Sequence, residues 1–177
     1  MRSVRKTSKP RRLPLARWPV YRHVIFDCDS TLTGIEGIDE LASHPDTRQR
    51  VADLTRSAMD GKVNLETVYG ERLEILQPTR GAVRALRSRY RKHVVEDAAA
   101  LIHALQVLGH EVYIVSGGLF DPVREFGLHL GVAPEHIRAV EVEYDTLSGN
   151  WWQGQGPWHE AYLAVQHSVL TESDGKA

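Results

Sequence analysis

The chain has one cysteine, Cys28, in 177 residues. An intrachain disulfide is therefore excluded, and a reducing compartment fits. Phenylalanine occurs three times and methionine twice. No apolar run approaches the roughly 20 residues that span a bilayer, so no membrane partner is expected. Acidic residues are absent from positions 1–22, which carry eight Lys or Arg. Setting those 8 against the 22 Lys and Arg of the whole chain leaves 14 basic against 23 acidic residues, a balance of −9 that the formal net charge of −1 conceals. The opening also lacks the apolar core of a secretory signal. Pro10, Pro14 and Pro19 oppose the amphipathic helix of a transit peptide. It reads as a disordered, solvated tail, with nucleic-acid binding the less favoured reading, and the protein as cytoplasmic. The histidines have no ligand spacing: His103 and His110 are seven apart, His159 and His167 eight. A zinc site is not expected.

What is present is an alternation of strand and helix. Val24-Ile25-Phe26 is a short apolar run that fits a strand buried on both faces. From Glu36 to about Leu76 the pattern is helical, with a turn at Asp60-Gly61 and Asn64 as a possible cap. A further helix carries Val83, Leu86 and Tyr90 at helical spacing. Residues 97–108 predict a helix with the stripe Leu101, Ile102, Leu105 and Leu108, ended by Gly109. Val112 to Val115 reads as a second buried strand closing on Ser116-Gly117-Gly118, followed by a helix through Val123, Phe126 and Leu130. Val140, Val142 and Tyr144 alternate with Glu141 and Glu143, which predicts one strand with a wet face. The order implies an α/β fold with a largely parallel sheet. Residues 23–35 and 91–177 are assigned to the core and 36–90 to a helical cap inserted after the first strand.

Asp27-Cys28-Asp29-Ser30-Thr31 follows directly on the first strand, and in open α/β sheets ligands bind at the carboxyl ends of strands. Two carboxylates two residues apart can divide phosphoryl transfer, one attacking phosphorus and the other protonating the leaving oxygen. Nucleophile and phosphate are both anionic, so a metal ion is needed; hard oxygen ligands point to Mg²⁺. An acidic turn with Asp29 or Ser30 capping the next helix accounts equally well for this segment alone. Ser116, with two glycines at a second strand end, can hold a phosphoryl oxygen beside backbone N–H groups, or the glycines can serve turn geometry only. Cys28 reads as a small buried residue, not a nucleophile.

Asp27-Cys28-Asp29-Ser30-Thr31-Leu32 resembles the first motif of the haloacid dehalogenase superfamily, and Ser116-Gly117-Gly118 its second. Glu36-Gly37-Ile38-Asp39-Glu40-Leu41-Ala42, Glu71-Arg72-Leu73, Gln77-Pro78 and Leu170 to Lys176 are similar to stretches of phosphoserine phosphatases. The resemblance implies a Rossmann-like parallel-sheet core with a helical cap after the first strand. It makes Asp27 the nucleophile, Asp29 the general acid/base, and Ser116 and Lys176 the phosphoryl-holding pair. Mg²⁺ would take a carboxylate oxygen of Asp27 and the backbone carbonyl of Asp29. Glu36 would meet a substrate ammonium, Arg72 its carboxylate, Met59 would pack over it and Gly117 would lend a backbone contact. Taken singly, each cap residue also reads as a solvated helix charge or core filler.

The implied activity is Mg²⁺-dependent phosphomonoester hydrolysis through an aspartyl phosphate, on phosphoserine in L-serine biosynthesis. Alternatives are a related phosphatase with another small phosphorylated metabolite, or a non-catalytic remnant binding a ligand or partner. The family's final Gly-Asp-Gly motif is expected beyond Lys176. The chain as given is therefore expected to lack its last core strand and to be catalytically impaired. Segment 148–166, with Trp151, Trp152 and Trp158, exceeds the family's usual hairpin and could cover a partner surface.

Overall fold

The computed structural model describes residues 21–43, 45–59, 65–148, 159–166 and 170, with the side chains of 58–59 and 65–67 outside that description. The basic opening up to position 20, Asp60-Gly61, Asn64, the three tryptophans at 151–158, His167 and Lys176 lie outside the described residues.

Three strands form a parallel sheet in the order β1 (His23–Phe26), β2 (Glu111–Leu119), β3 (Ile137–Val140). Phe26 sits opposite Ile114, and Ile114 opposite Ile137. Between β1 and β2 run α1 (Gly37–Glu40), α2 (Pro45–Met59), α3 (Leu65–Leu76), α4 (Arg80–Lys92) and α5 (Ala98–Val107). Helix α6 (Phe120–His129) leads through a short 3₁₀ turn to β3. Strands β4 (Val142–Asp145) and β5 (Ala161–Val165) pair antiparallel as a separate hairpin. This is the expected Rossmann-like parallel core with helices inserted after its first strand.

Local chemistry explains the element ends. Thr79 caps α4 by accepting a hydrogen bond from the Ala82 N–H, and Arg89, Arg91 and Lys92 occupy its last turn, where cations suit the helix dipole. Gly109, at φ 89°, follows α5 in the left-handed conformation that ends helices. The core gathers Val112 and Ile114 of β2, Phe126 of α6, Ile137 of β3 and Ile102 of α5. Helix α4 packs on α6, with the Tyr90 and Phe126 rings 5.6 Å apart.

Four expectations need correction. Strand β1 is not buried on both faces, because the pleat sends alternate side chains to opposite sides. Only one side is covered among the described residues, and Ile25 is 64% exposed. In β2 the same alternation buries Val112, Ile114, Ser116 and Gly118 and leaves Glu111, Tyr113, Val115 and Gly117 half-buried, until Leu119 at the end is buried as well. Ser116-Gly117-Gly118 does not follow β2 but lies within it, where the register against β3 shifts between Val115 and Leu119.

The 140–144 alternation is not one strand. Residues to Val140 bond to β2, whereas Val142 onward pairs with β5. One straight strand cannot serve both partners, and the break falls at Glu141. Finally, the α5 stripe is only partly inside: Ile102 is buried, while Leu101 and Leu108 are exposed. Helix α5 touches the sheet along the Ala98–Ile102 side, so a stripe as wide as four leucine-sized residues has more apolar surface than the contact uses.

Candidate active site

The chain leaves β1 at Asp27 and folds over its own backbone. The Cys28 carbonyl accepts from the N–H groups of Thr31, Leu32 and Thr33 at 2.8–3.2 Å, and Ser30 adopts φ 55°. This tight turn keeps Asp27 and Asp29 at the strand end and buries Cys28 completely. Cys28 is thus a buried small residue, though two positions past the strand. Asp27 itself is exposed.

Asp29 is held from two sides. The Tyr90 hydroxyl donates to Oδ1 at 2.7 Å, and the Gly37 N–H donates to Oδ2 at 3.1 Å. Asp29 therefore does cap α1, as the acidic-turn alternative allowed. A cap alone, however, would not need a phenol from α4. Burial raises the Asp29 carboxyl to about 6, with the charges of Glu36 and Asp27 adding to the rise and the two hydrogen bonds opposing it. A carboxyl near that value can both release and accept a proton around neutral pH.

Gly37 makes the arrangement possible. A Cβ there would lie 2.1 Å from the Tyr90 hydroxyl oxygen, so only glycine admits the phenol. Gly118 does the same for the second segment. A Cβ at that position would stand 3.0 Å from Asp29 Oδ2 and 3.2 Å from Ser116 Oγ. The Asp-Cys-Asp turn and the Ser-Gly-Gly segment are therefore in contact. Ser116 is fully buried and accepts from the Gly118 N–H at 2.9 Å. Its own hydroxyl proton is left to donate elsewhere.

Glu36 precedes α1 and accepts a hydrogen bond from Ser30 Oγ at 2.7 Å. Arg72, on α3, is 14% exposed at its side chain and pairs with Asp39. Tyr69, one turn before Arg72, feels the charges of both Asp29 and Arg72, which brings α3 to the same region. Met59 is the last residue of α2, its side chain outside the described residues, as is Lys176. Gly117 lies beside Ser116 in β2. An open groove between α2 and α3, lined by Arg50, Asp53, Leu54, Ser57, Glu71, Glu74 and Ile75, contains none of these residues. Strand-end position and hydrogen bonding mark the site more clearly than concavity.

Sequence reasoning missed Tyr90, Tyr69 and the steric demands of Gly37 and Gly118. Tyr90 was visible as a stripe residue of α4, and a tyrosine at a buried helical position carries a hydroxyl that needs a partner. Oxygen donors at Asp27 and at the Asp29 carbonyl suit a hard cation. No group of three or more His, Cys, Asp or Glu suited to a metal occurs among the described residues. No described helix is long and apolar enough to cross a membrane.

A family profile described as haloacid dehalogenase-like hydrolase matches residues 24–169. Phosphoserine phosphatase from Bos taurus is 31% identical over 121 residues, which are 68% of this chain and 54% of that protein. A phosphoserine phosphohydrolase-like protein from Francisella tularensis superposes with a TM-score of 0.64 at 26% identity, covering 71% of this chain and 61% of that one. The structure of a phospho-aspartyl intermediate analogue of phosphoserine phosphatase gives a TM-score of 0.66 at 27% identity, covering 84% and 64% respectively. The chain spans about half the length of the curated relatives it matches. With the parallel core, the inserted helices and the profile spanning both the acidic turn and the Ser-Gly-Gly segment, the chain belongs to the haloacid dehalogenase-like hydrolase family.

Proposed function

We propose that the chain carries the phosphoryl-transfer site of a phosphoserine phosphatase-like hydrolase, acting on a small phosphorylated amino acid. The observation that carries this reading is the contact between its two segments, with Asp29 Oδ2 at 3.0 Å from the Gly118 Cβ position and Ser116 Oγ beside it. A phosphoryl group placed there meets an exposed nucleophile, a tuned acid and a buried hydroxyl together.

Asp27 attacks phosphorus, and the bond to the leaving oxygen breaks as Asp29 delivers its proton to that oxygen. Asp29 then takes a proton from the water that hydrolyses the aspartyl phosphate. Ser116 donates to a phosphoryl oxygen beside the Gly117 backbone, and Lys176 is assigned to the same group by family resemblance alone. The Asp27 carboxylate and the Asp29 backbone carbonyl would hold Mg²⁺, which when bound would neutralise charge between carboxylate and phosphate. Glu36 faces the substrate ammonium, Arg72 its carboxylate and Met59 its side chain. The cap is assigned to residues 36–90, the setting to the cytoplasm and the pathway to L-serine biosynthesis.

Acid-quenched labelling with ³²P-phosphoserine and Mg²⁺ tests this directly. Label is expected on Asp27 and absent from Asp27→Asn, while Asp29→Asn should slow the proton-transfer steps and still bind phosphate. Label on another residue would overturn the assignment.

A further inference from the structure

Helix α3 presents two buried donors without a hydrogen-bond partner among the described residues, the Tyr69 hydroxyl and the Arg72 Nε. The residues are three apart and so share one helix face. The Tyr69 ring packs against the core, a task that phenylalanine would perform as well. Its hydroxyl is the part that packing leaves unexplained. A buried phenol with nothing to bond is destabilising, so its presence on that face calls for an acceptor supplied from outside. Burial, then the nearby charge of Asp29, pushes the phenol far above its ordinary value. It is therefore a donor at every physiological pH. Arg72 already gives one terminal nitrogen to Asp39, which fixes the guanidinium while its Nε stays unused.

We propose that Tyr69 is a substrate-binding residue whose hydroxyl, with the Arg72 Nε, grips the carboxylate of the bound amino-acid phosphate. Two donors one turn apart on one helix face are free to serve the two oxygens of a carboxylate, and hydrogen bonds to an ionised acceptor are the strong ones. The phosphate end is accounted for on the sheet side by Ser116 and the Asp27 turn. The carboxylate is thus the anionic group left for α3. This inference rests on the function proposed above and adds a selectivity residue to it.

The test titrates the full chain, made non-turning by Asp27→Asn, with O-phosphoserine and with O-phosphoethanolamine, which lacks the carboxylate. Calorimetry with Mg²⁺ is run with and without Tyr69→Phe, alongside thermal unfolding. The phosphoserine Kd is expected to rise about 10- to 100-fold in the Tyr69→Phe protein, with phosphoethanolamine binding unchanged. The Tm should stay level or rise, since an unpaired hydroxyl is removed. An unchanged phosphoserine Kd, equal weakening of both ligands, or a lowered Tm would each overturn the assignment; the last would mean that the hydroxyl is satisfied inside the fold. A parent that binds both ligands equally refutes carboxylate recognition but leaves the phosphatase reading intact. A parent that binds neither refutes both.

Discussion

Replacing Gly37 by alanine places a methyl group 2.1 Å from the Tyr90 hydroxyl oxygen and 3.0 Å from its ring carbon Cζ. Ordinary contact is about 3.5–4.0 Å, so something must move by more than 1 Å. Tyr90 is fully buried and its ring is packed against Phe126, so it has little room to retreat. Overpacking of this kind costs about 1–3 kcal/mol. If the phenol swings away, the 2.7 Å hydrogen bond to Asp29 is also lost, at about 1.5–3 kcal/mol for a bond to a charged group.

The two costs together predict a loss of roughly 2.5–6 kcal/mol for Gly37→Ala, a large share of a typical stability of about 5–15 kcal/mol. Tyr90→Phe removes the atom at 2.1 Å and leaves the ring carbon only a few tenths of an ångström too close. In that background the alanine should cost about 1 kcal/mol. Urea unfolding of the two single variants, the double variant and the parent closes the cycle, and a coupling of at least about 1 kcal/mol is expected between contacting residues. A Gly37→Ala protein within 0.5 kcal/mol of the parent, or additive effects, would refute the reasoning.

Two further outcomes follow from the same geometry. The folded Asp29 carboxyl holds its proton up to about pH 6, against an ordinary value of 3.8. The metal-free protein should therefore be most stable below pH 4 with respect to this group and lose roughly 3 kcal/mol as pH rises through 6. Urea unfolding in EDTA at pH 4 and 7 measures the loss, which Asp29→Asn should remove; an equal pH response in the variant would disprove the assignment. On β1, Ile25 is 64% exposed on a strand that is at the edge of the sheet among the described residues, and an apolar edge invites pairing with other chains. Ile25→Lys should reduce light scattering on concentration and change stability by no more than about 0.5 kcal/mol; undiminished scattering would show that the edge is not the sticky surface.

Much of the architecture was legible because burial leaves a period in the residues. Val83, Leu86 and Tyr90 announced α4, and the Gly109 position announced the end of α5. The acidic turn could be read as a strand-end group for the same reason, whereas the Ser-Gly-Gly segment, read as following its strand, lies inside it. What stayed illegible depends on distances between remote parts of the chain. Nothing local to Gly37 indicates that residue 90 will press against it. The split at Glu141 was hidden because period-two alternation is the same whether the partner is β2 or β5. Leu101 and Leu108 were misread since a helix pattern states which residues are apolar, not how wide a surface awaits them. Tyr69 carried no signal at all, because an unpartnered hydroxyl is a property of the folded surroundings.

The start and finish of the helical insertion are tied together by main-chain bonds. Thr33 and Val94 form an isolated antiparallel bridge. The Gly34 N–H donates to the His93 carbonyl at 2.8 Å, and the Val95 N–H to the Leu32 carbonyl at 3.0 Å. The buried Thr33 hydroxyl adds a bond to the His93 carbonyl at 3.1 Å. The excursion from 35 to 92 thus begins and ends at one clasp, and the entropy of closing such a loop grows only slowly with its length. The clasp holds the two ends of the excursion together whatever the length of chain between them, while α4 stays part of the core through Tyr90 and its contact with Phe126. A scaffold clasped in this way is suited to acquiring new selectivity by trading one insertion for another while Asp27 stays where it is.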